Sequence, residues 1–481
     1  MSAKGKWIWG GLAVFGLTIG LSAYAASSRY SVFSAHREYD KAAQEYREAG
    51  LPWTIEEFTG PLIPDVENAA FGYDALYEVQ KKRKKADFDA GRPPAERPRF
   101  NRLLTRADIP SIQAYLRRVN PELDQLPRLA PLSFQLKKDW SLGVAVLFPE
   151  CAVGKGYVGD LLLRAEVKTL LGDIEGAVED LNLCVRLADH MEQGPTLIHL
   201  LASSAYRSMA VTSCLKIATC RPKDPALQVQ LAAVCAACTS LPSLRRALRG
   251  EAFMMLQSIR YNSFTPTDLR VLGQGGVRRN PSRKAGPEVR GLFNRSYAVE
   301  FFRFWAHLYA ELGPEGGEDW KRFRRACPPS NELPDFAMSD PRADERKLLP
   351  ELLKADFLVK LSPDLQRAPE AFVKRQAFAL AAQSALQAHA AGILRTALPA
   401  PPQDPFGNGP LRRKVDREGI KVWSIGRDRE DDGGAPEQIR KKLSDLKEGE
   451  PPRRGLPPKG DIAAELPWRP KVVEGTKEAM R

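Results

Sequence analysis

The chain has 481 residues, enough for more than one domain, and 43% of them are hydrophobic, which excludes a globally disordered protein. Lys and Arg number 72 against 59 Asp and Glu, a formal charge of +13 that favours acidic partners such as anionic lipid or polymer. The basic runs Lys81-Lys82-Arg83-Lys84-Lys85 and Arg412-Arg413-Lys414 accompany no nucleic-acid-binding motif; they read as solvated faces or linkers, and no nucleic-acid partner is expected.

At the N-terminus, Lys4 and Lys6 precede an uncharged run from Trp7 to Ala26. At helical rise such a run matches the ~30 Å hydrocarbon core of a bilayer. The first assignment is therefore a membrane anchor or signal segment over 1–28, with the lipid bilayer as partner through Trp7–Ala26. A retained signal-anchor is preferred because the run is longer than a signal core and a helical, charged segment follows without a break. Cleavage after Ala25 is the alternative, since Ala23-Tyr24-Ala25 has the small-x-small form of a processing site. Both readings export the body. Lys4, Lys6 and the terminal amine favour a cytoplasmic N-terminus, although Arg29, Arg37 and Lys41 nearly balance them.

Residues 29–156 read as a helical and extended connector, punctuated by Pro and Gly over 50–72 and at Arg92–Pro98. From 157 to 361 the pattern is a helical bundle. Val158, Leu161, Leu162 and Ala165 form one stripe that stops at Gly172; Ile174, Ala177, Val178, Leu181, Val185 and Ala188 form the next. Gly194-Pro195 opens a third helix, and Arg221-Pro222 to Pro225 separates it from a fourth. Short connections of this kind make successive helices antiparallel neighbours. Leu161, Ala165, Gly172-Asp173, Ala177, Leu181 and Cys184 give the first hairpin a resemblance to one tetratricopeptide unit. Pro195 and His199 break the next repeat, so no array is expected.

Residues 371–434 read as an Ala-rich helix followed by a β-hairpin, and 435–481, dense in Pro and charge, as a disordered tail. In the hairpin, "PLRRKV" and "IKVWSIG" are strands joined by Asp416-Arg417-Glu418-Gly419, with Gly419 expected at the left-handed position. Trp423 and Ile425 are the expected buried face, packed on the preceding helix. The fold class is thus mainly α: an N-terminal transmembrane helix, a helical-hairpin bundle and a small C-terminal α+β unit with a β-hairpin.

Signals of enzymatic chemistry are scarce. The five histidines (His36, His190, His199, His307, His389) form no HExxH or other two-His metal spacing, and no GxSxG elbow, Walker A loop or strand–GxGxxG–helix unit occurs. Each histidine reads as a surface or satisfied core residue. Seven cysteines leave at least one unpaired within the chain. Cys235-Ala-Ala-Cys238 falls on the apolar stripe Leu227, Leu231, Val234, in mid-helix rather than at the helix N-terminus a redox pair needs, so both read as small buried hydrophobes. A disulfide from this pair to Cys220 or Cys214 stays open.

The Ala-rich helix, the Pro-containing linker, Asp404-Pro405-Phe406, the two strands and "WSIGRDREDDGG" resemble the C-terminal head of type II secretion pseudopilins. With "ENAAFGYDAL" and the 161–215 helices, most of the chain also resembles a group of single-span bacterial envelope proteins that carries no assigned activity. The first resemblance implies a calcium-binding loop after the hairpin. Asp428, Glu430, Asp431 and Asp432 occupy that loop, and Asp428-x-Glu430-x-Asp432-Gly433 follows the start of an EF-hand, with Ile439 where its closing Glu would stand. Asp428, Glu430 and Asp432 are the candidate Ca²⁺ ligands; a solvated acidic turn beside Arg427 and Arg429 is the alternative, and no other cofactor is expected. No Gly-Phe leader site followed by Glu occurs, so polymerisation as a pseudopilin is not expected. These readings give a bacterial inner-membrane, single-pass protein with an extracytoplasmic body, non-enzymatic and with unidentified protein partners. The rivals are an accessory of a secretion or pilus-like machine and an enzyme whose site is assembled from scattered residues.

Overall fold

The computed structural model describes residues 37–89, 98, 103–261, 287–312, 371–426, 431–434 and 461–468. The run Trp7–Ala26 and residues 313–361 lie outside them. The described chain is mainly helical, with one three-stranded antiparallel sheet.

Four helices form the centre: α6 (Pro149–Leu171), α7 (Ile174–Gln193), α8 (Leu197–Cys220) and α9 (Pro225–Ala237), each packed on the next. Local chemistry sets their ends. Gly172 closes α6 at φ 95°, where a side chain would strain the backbone, and Asp173 then caps α7 by accepting the Gly176 N–H at 3.0 Å. Asp224 does the same for α9 through the Leu227 N–H, with Pro225 in the first turn. Leu161, Ala165, Leu181, Cys184, Ala210 and Cys214 fill the seam between these helices.

The stretch expected as a connector is largely helical in its described part. It supplies α1 (37–48), α2 (Ile55–Thr59), α3 (Ala69–Asp89), α4 (Ile109–Leu123) and the single turn α5 (Leu126–Leu129). Tyr46, Tyr73, Ile112 and Leu123 join the same core as α6 and α7. The helical pattern of α3 is masked because only its first half is apolar; its second half, from Gln80 on, is charged and exposed over most of its length. Buried carboxylates hold this layer to the centre. Glu122 of α4 accepts from Arg83 Nε of α3 at 2.6 Å and from the Tyr157 hydroxyl of α6 at 2.9 Å. Within the centre, Asp180 of α7 accepts two bonds from the Arg164 guanidinium of α6, and Arg207 of α8 donates to Asp189 and Glu192 of α7.

Two further helices, α10 (Leu244–Tyr261) and α11 (Pro287–Leu312), close one side. Phe301 and Phe302 of α11 pack on Tyr46, and Phe302 also meets Trp53. The last helix, α12 (371–394), is lined by buried alanines at 377, 379, 381, 382, 385 and 388, which let neighbours approach closely. It is long and apolar enough to cross a membrane, yet 56% of its apolar window is buried in the fold. Its buried Arg375 donates to the carbonyls of Cys238 and Ser240, clasping it to the end of α9.

The sheet has the order β1 (Arg412–Val415), β2 (Gly419–Ser424), β3 (Ile462–Pro467). The third strand comes from the segment expected to be disordered. An isolated hairpin is marginal in water, and β3 completes it by pairing Ile420 with Leu466 and Val422 with Ala464. Those four residues face the core, so the buried face is Ile420 and Val422 rather than Trp423 and Ile425. Trp423 is covered on the opposite face, where its indole N–H donates to Asp431 at 2.9 Å, and Ile425 is half-buried. Nor is Gly419 left-handed: glycine is needed there because a Cβ would stand 2.2 Å from the Leu466 carbonyl oxygen. The sheet meets α12 through His389, whose Nε2 reaches the Pro467 carbonyl at 3.3 Å and whose ring stacks on Trp468.

Candidate functional site

A cleft of ≈ 390 Å³ opens where the 58–63 loop, the 134–140 loop, the end of α7 and the face of α10 meet. Its walls are built by the Gln135 side chain. Oε1 accepts the Ile63 N–H at 2.8 Å, and Nε2 donates to the carbonyls of Thr59 and Pro61, so one amide fixes the whole 59–63 turn. Gln193 accepts the Phe134 N–H at 3.0 Å and fixes the second loop to α7. Phe58 and Trp140, edge-on at 4.9 Å, line the floor, and Phe253, stacked on Phe58 at 4.4 Å, backs it from the core. Arg246 and Arg249 stand on the α10 side, and no carboxylate among the described residues lines the cleft. Arg249 donates to the Glu57 carbonyl, whereas Arg246 is exposed and has no ion pair among the described residues. Trp140 is buried, and its indole N–H has no acceptor among the described residues.

Behind the floor lies a sealed polar chain. Glu150, in the first turn of α6, accepts from Lys138 Nζ at 3.0 Å and contacts His199 Nε2 at 3.3 Å. Burial pushes its carboxyl up, but bonds from His199 and Lys138 outweigh burial and hold it below the usual carboxylate range. The ionised Glu150 carboxylate accepts on the Nε2 side of the ring, and Nδ1 pairs with the Thr196 hydroxyl at 2.6 Å. The order hydroxyl–imidazole–carboxylate is that of a nucleophilic triad. Thr196 and His199 are completely buried, however, so the hydroxyl meets no substrate. The chain instead ties the start of α8 to α6, and Glu251 of α10 adds to it by accepting the Leu197 N–H at 2.9 Å. Burial raises the Glu251 carboxyl to about 7.

At the C-terminal unit the structure redistributes the expected acidic ligands. Asp428 and Glu430 lie outside the described residues. Asp432 is exposed on the turn. Asp431 is spent on the protein, accepting from Trp423 Nε1, the Gly433 N–H and Arg412 Nε, and the first of these bonds holds it below the usual range. Asp461, in the segment just before β3, joins them. It accepts the Gly434 N–H at 2.7 Å through Oδ2, while Oδ1 is buried without a partner among the described residues. Burial raises its carboxyl, and the charges of Asp431 and Asp432 add to that. Among the described residues no three His, Cys, Asp or Glu side chains converge as a metal site. Asp404 secures the linker, accepting the Phe406 N–H, the Ser424 hydroxyl and the Ile425 N–H.

The six described cysteines are free thiols. Cys235 lies in the last turn of α9 and Cys238 just past its end, where the helix dipole disfavours a thiolate. Burial raises Cys238 to about 12, and a bond to Cys235 followed by burial raises Cys214. His190 accepts from the Tyr73 hydroxyl and donates to the Leu132 carbonyl, and burial lowers its pKa.

No protein-family model matches the chain, and neither the curated proteins nor the solved structures give a match. Sequence reasoning missed Glu150, Trp140, Arg246 and Asp461, whereas His199 is a satisfied core histidine as expected. One signal was legible: Glu150 follows Pro149 at a helix start, where acids are favoured by the dipole. The cleft residues come from four separated segments and leave no local pattern.

Proposed function

We propose that the chain is a membrane-tethered scaffold of the bacterial cell envelope, held in the inner membrane by Trp7–Ala26, its helical body outside the cytoplasm, acting through protein contacts rather than catalysis. The observation that carries the non-enzymatic part is how the buried ionisable groups are used. Glu122, Asp180, Arg207 and the Glu150–His199–Thr196 chain each brace one helix to another, and the triad-like set is sealed. The uncharged N-terminal run supports the tether. Alkaline carbonate extraction and external protease treatment of cells with a permeabilised outer membrane test the placement. The full-length chain should stay with the membrane pellet and its body should be digested. Release into the supernatant, or protection of the body, overturns the reading.

A second reading concerns calcium at the turn after the hairpin, favoured by the buried, unpartnered Oδ1 of Asp461 beside Asp431 and Asp432. A hard cation there would take carboxylate oxygens from Asp461 and Asp432, with Asp428 or Glu430 completing the set, and would fasten β3 to the hairpin turn. This is the loop that the pseudopilin-head resemblance points to, and it supports the accessory role in a secretion or pilus-like machine as the rival reading.

A further inference from the structure

We propose that Cys214 of α8 and Cys235 of α9 are a disulfide site, oxidised by a disulfide donor as the two helices come together and then sealed in the core. Four thiols from this part of the core have no solvent exposure: Cys184 of α7, Cys214, Cys235, and Cys238 just past α9. Cys214 lies within electrostatic range of the other three. The group does not converge as a metal site, so the chemistry open to it is pairwise oxidation.

The spacing along the helices selects the pair. Cys220 is the last residue of α8, beside the turn, whereas Cys235 is ten residues into α9, about 15 Å along its axis. A disulfide joins Cα atoms no more than about 7 Å apart, which excludes Cys220. Cys220 faces Glu166 and Lys216 instead. Cys214 stands six residues back from the turn, nearer the level of Cys235, and the two thiols are hydrogen-bonded to each other. Cys184 is engaged elsewhere, its Sγ donating to the Val158 carbonyl at 3.7 Å. Cys238 is fixed at the end of α9 by Arg375, which donates to its carbonyl.

The oxidation is thiol–disulfide exchange. One thiolate attacks the donor R–S–S–R and releases R–SH; the second thiol then attacks the mixed disulfide and releases the other R–SH. Two S–H bonds break, one S–S bond forms, and two electrons and two protons leave on the donor. In the closed fold neither thiol reaches solvent, so the exchange runs before α9 closes on α8, and the finished bond is shielded from reductants. Occupancy in cells rests on the extracytoplasmic placement proposed above, because disulfides persist in oxidising compartments.

Thiol counting on the full-length chain, alkylated at harvest and denatured without reductant, tests the site. Seven cysteines less one pair leave five reactive thiols. Cys214→Ala should raise the count by one, because it frees Cys235, whereas Cys220→Ala should lower it by one. Both readings are taken on unfolded chain, so they do not depend on how well either variant folds. A second arm separates the pairing from the placement: the chain is reduced, unfolded in urea and returned to detergent buffer containing oxidised and reduced glutathione. Mass-spectrometric mapping should then find Cys214 joined to Cys235. That link, together with seven free thiols in the chain from cells, overturns the extracytoplasmic placement and upholds the pairing. A refolded chain without the link, or with Cys235 joined to another cysteine, overturns the proposal.

Discussion

Glu251 offers the sharpest test of the energetics. Its carboxyl accepts the first N–H of α8, and burial lifts it from 4.5 to about 7. The fold therefore favours the protonated acid, while the unfolded chain ionises near 4.5. Stability from this group is whole below pH ~4.5 and is lost as pH rises through about 7. The gap between 4.5 and about 7, at ~1.36 kcal/mol per pH unit, sets a ceiling of about 3 kcal/mol, and the partial exposure of the residue lowers this to about 1–3 kcal/mol. Glu251→Gln keeps an acceptor for Leu197 and removes the ionisation. Urea denaturation of both proteins at pH 5 and pH 8 reads the difference directly. The variant should match wild type within about 1 kcal/mol at pH 5 and exceed it by about 1–3 kcal/mol at pH 8. A difference that does not change with pH, or that favours wild type more at pH 8, refutes the reasoning.

The Glu122 brace should behave as a buried ion pair. Glu122→Leu strands the Arg83 guanidinium and should cost about 3 kcal/mol in a urea melt, while Glu122→Leu with Arg83→Met should recover most of the loss; a single-variant cost under about 1 kcal/mol contradicts the assigned role. Millimolar calcium should raise the melting temperature of the full-length chain, and Asp461→Asn should remove the rise. A wild-type melt indifferent to calcium removes the metal from the turn.

The central helices were the most legible part because their ends are chemical and local. Gly172, Asp173 and Asp224 mark them in sequence and occupy the turn and caps in the fold. The hairpin was legible for the same reason: Asp416 accepts the Glu418 and Gly419 N–H groups within its own loop. The tail was not, since β3 is a strand only by virtue of the edge that β2 offers. Its sequence, Ile-Ala-Ala-Glu-Leu-Pro, is short and sits among Pro, Gly and Lys. Which face of β2 turns inward was equally beyond the sequence. Trp423 is the largest apolar side chain there, yet Asp431 offers its N–H an acceptor on the outer face, and Ile420 and Val422 take the core.

The sequence by itself determined the helical body and its turns, because periodicity and capping act within a few residues of chain. It also determined the sparseness of motif-based chemistry, because such motifs are local. Tertiary structure alone decided where charges end up. Glu150, His199 and Thr196 meet only when α6 and α8 pack, and Asp461 reaches the acidic turn only when β3 joins the sheet. Trp140 and Arg246 share a cleft only because two loops pinned by Gln135 and Gln193 close over α10. Contacts between residues so far apart in the chain depend on the packing of whole elements, and no short window of sequence carries that information.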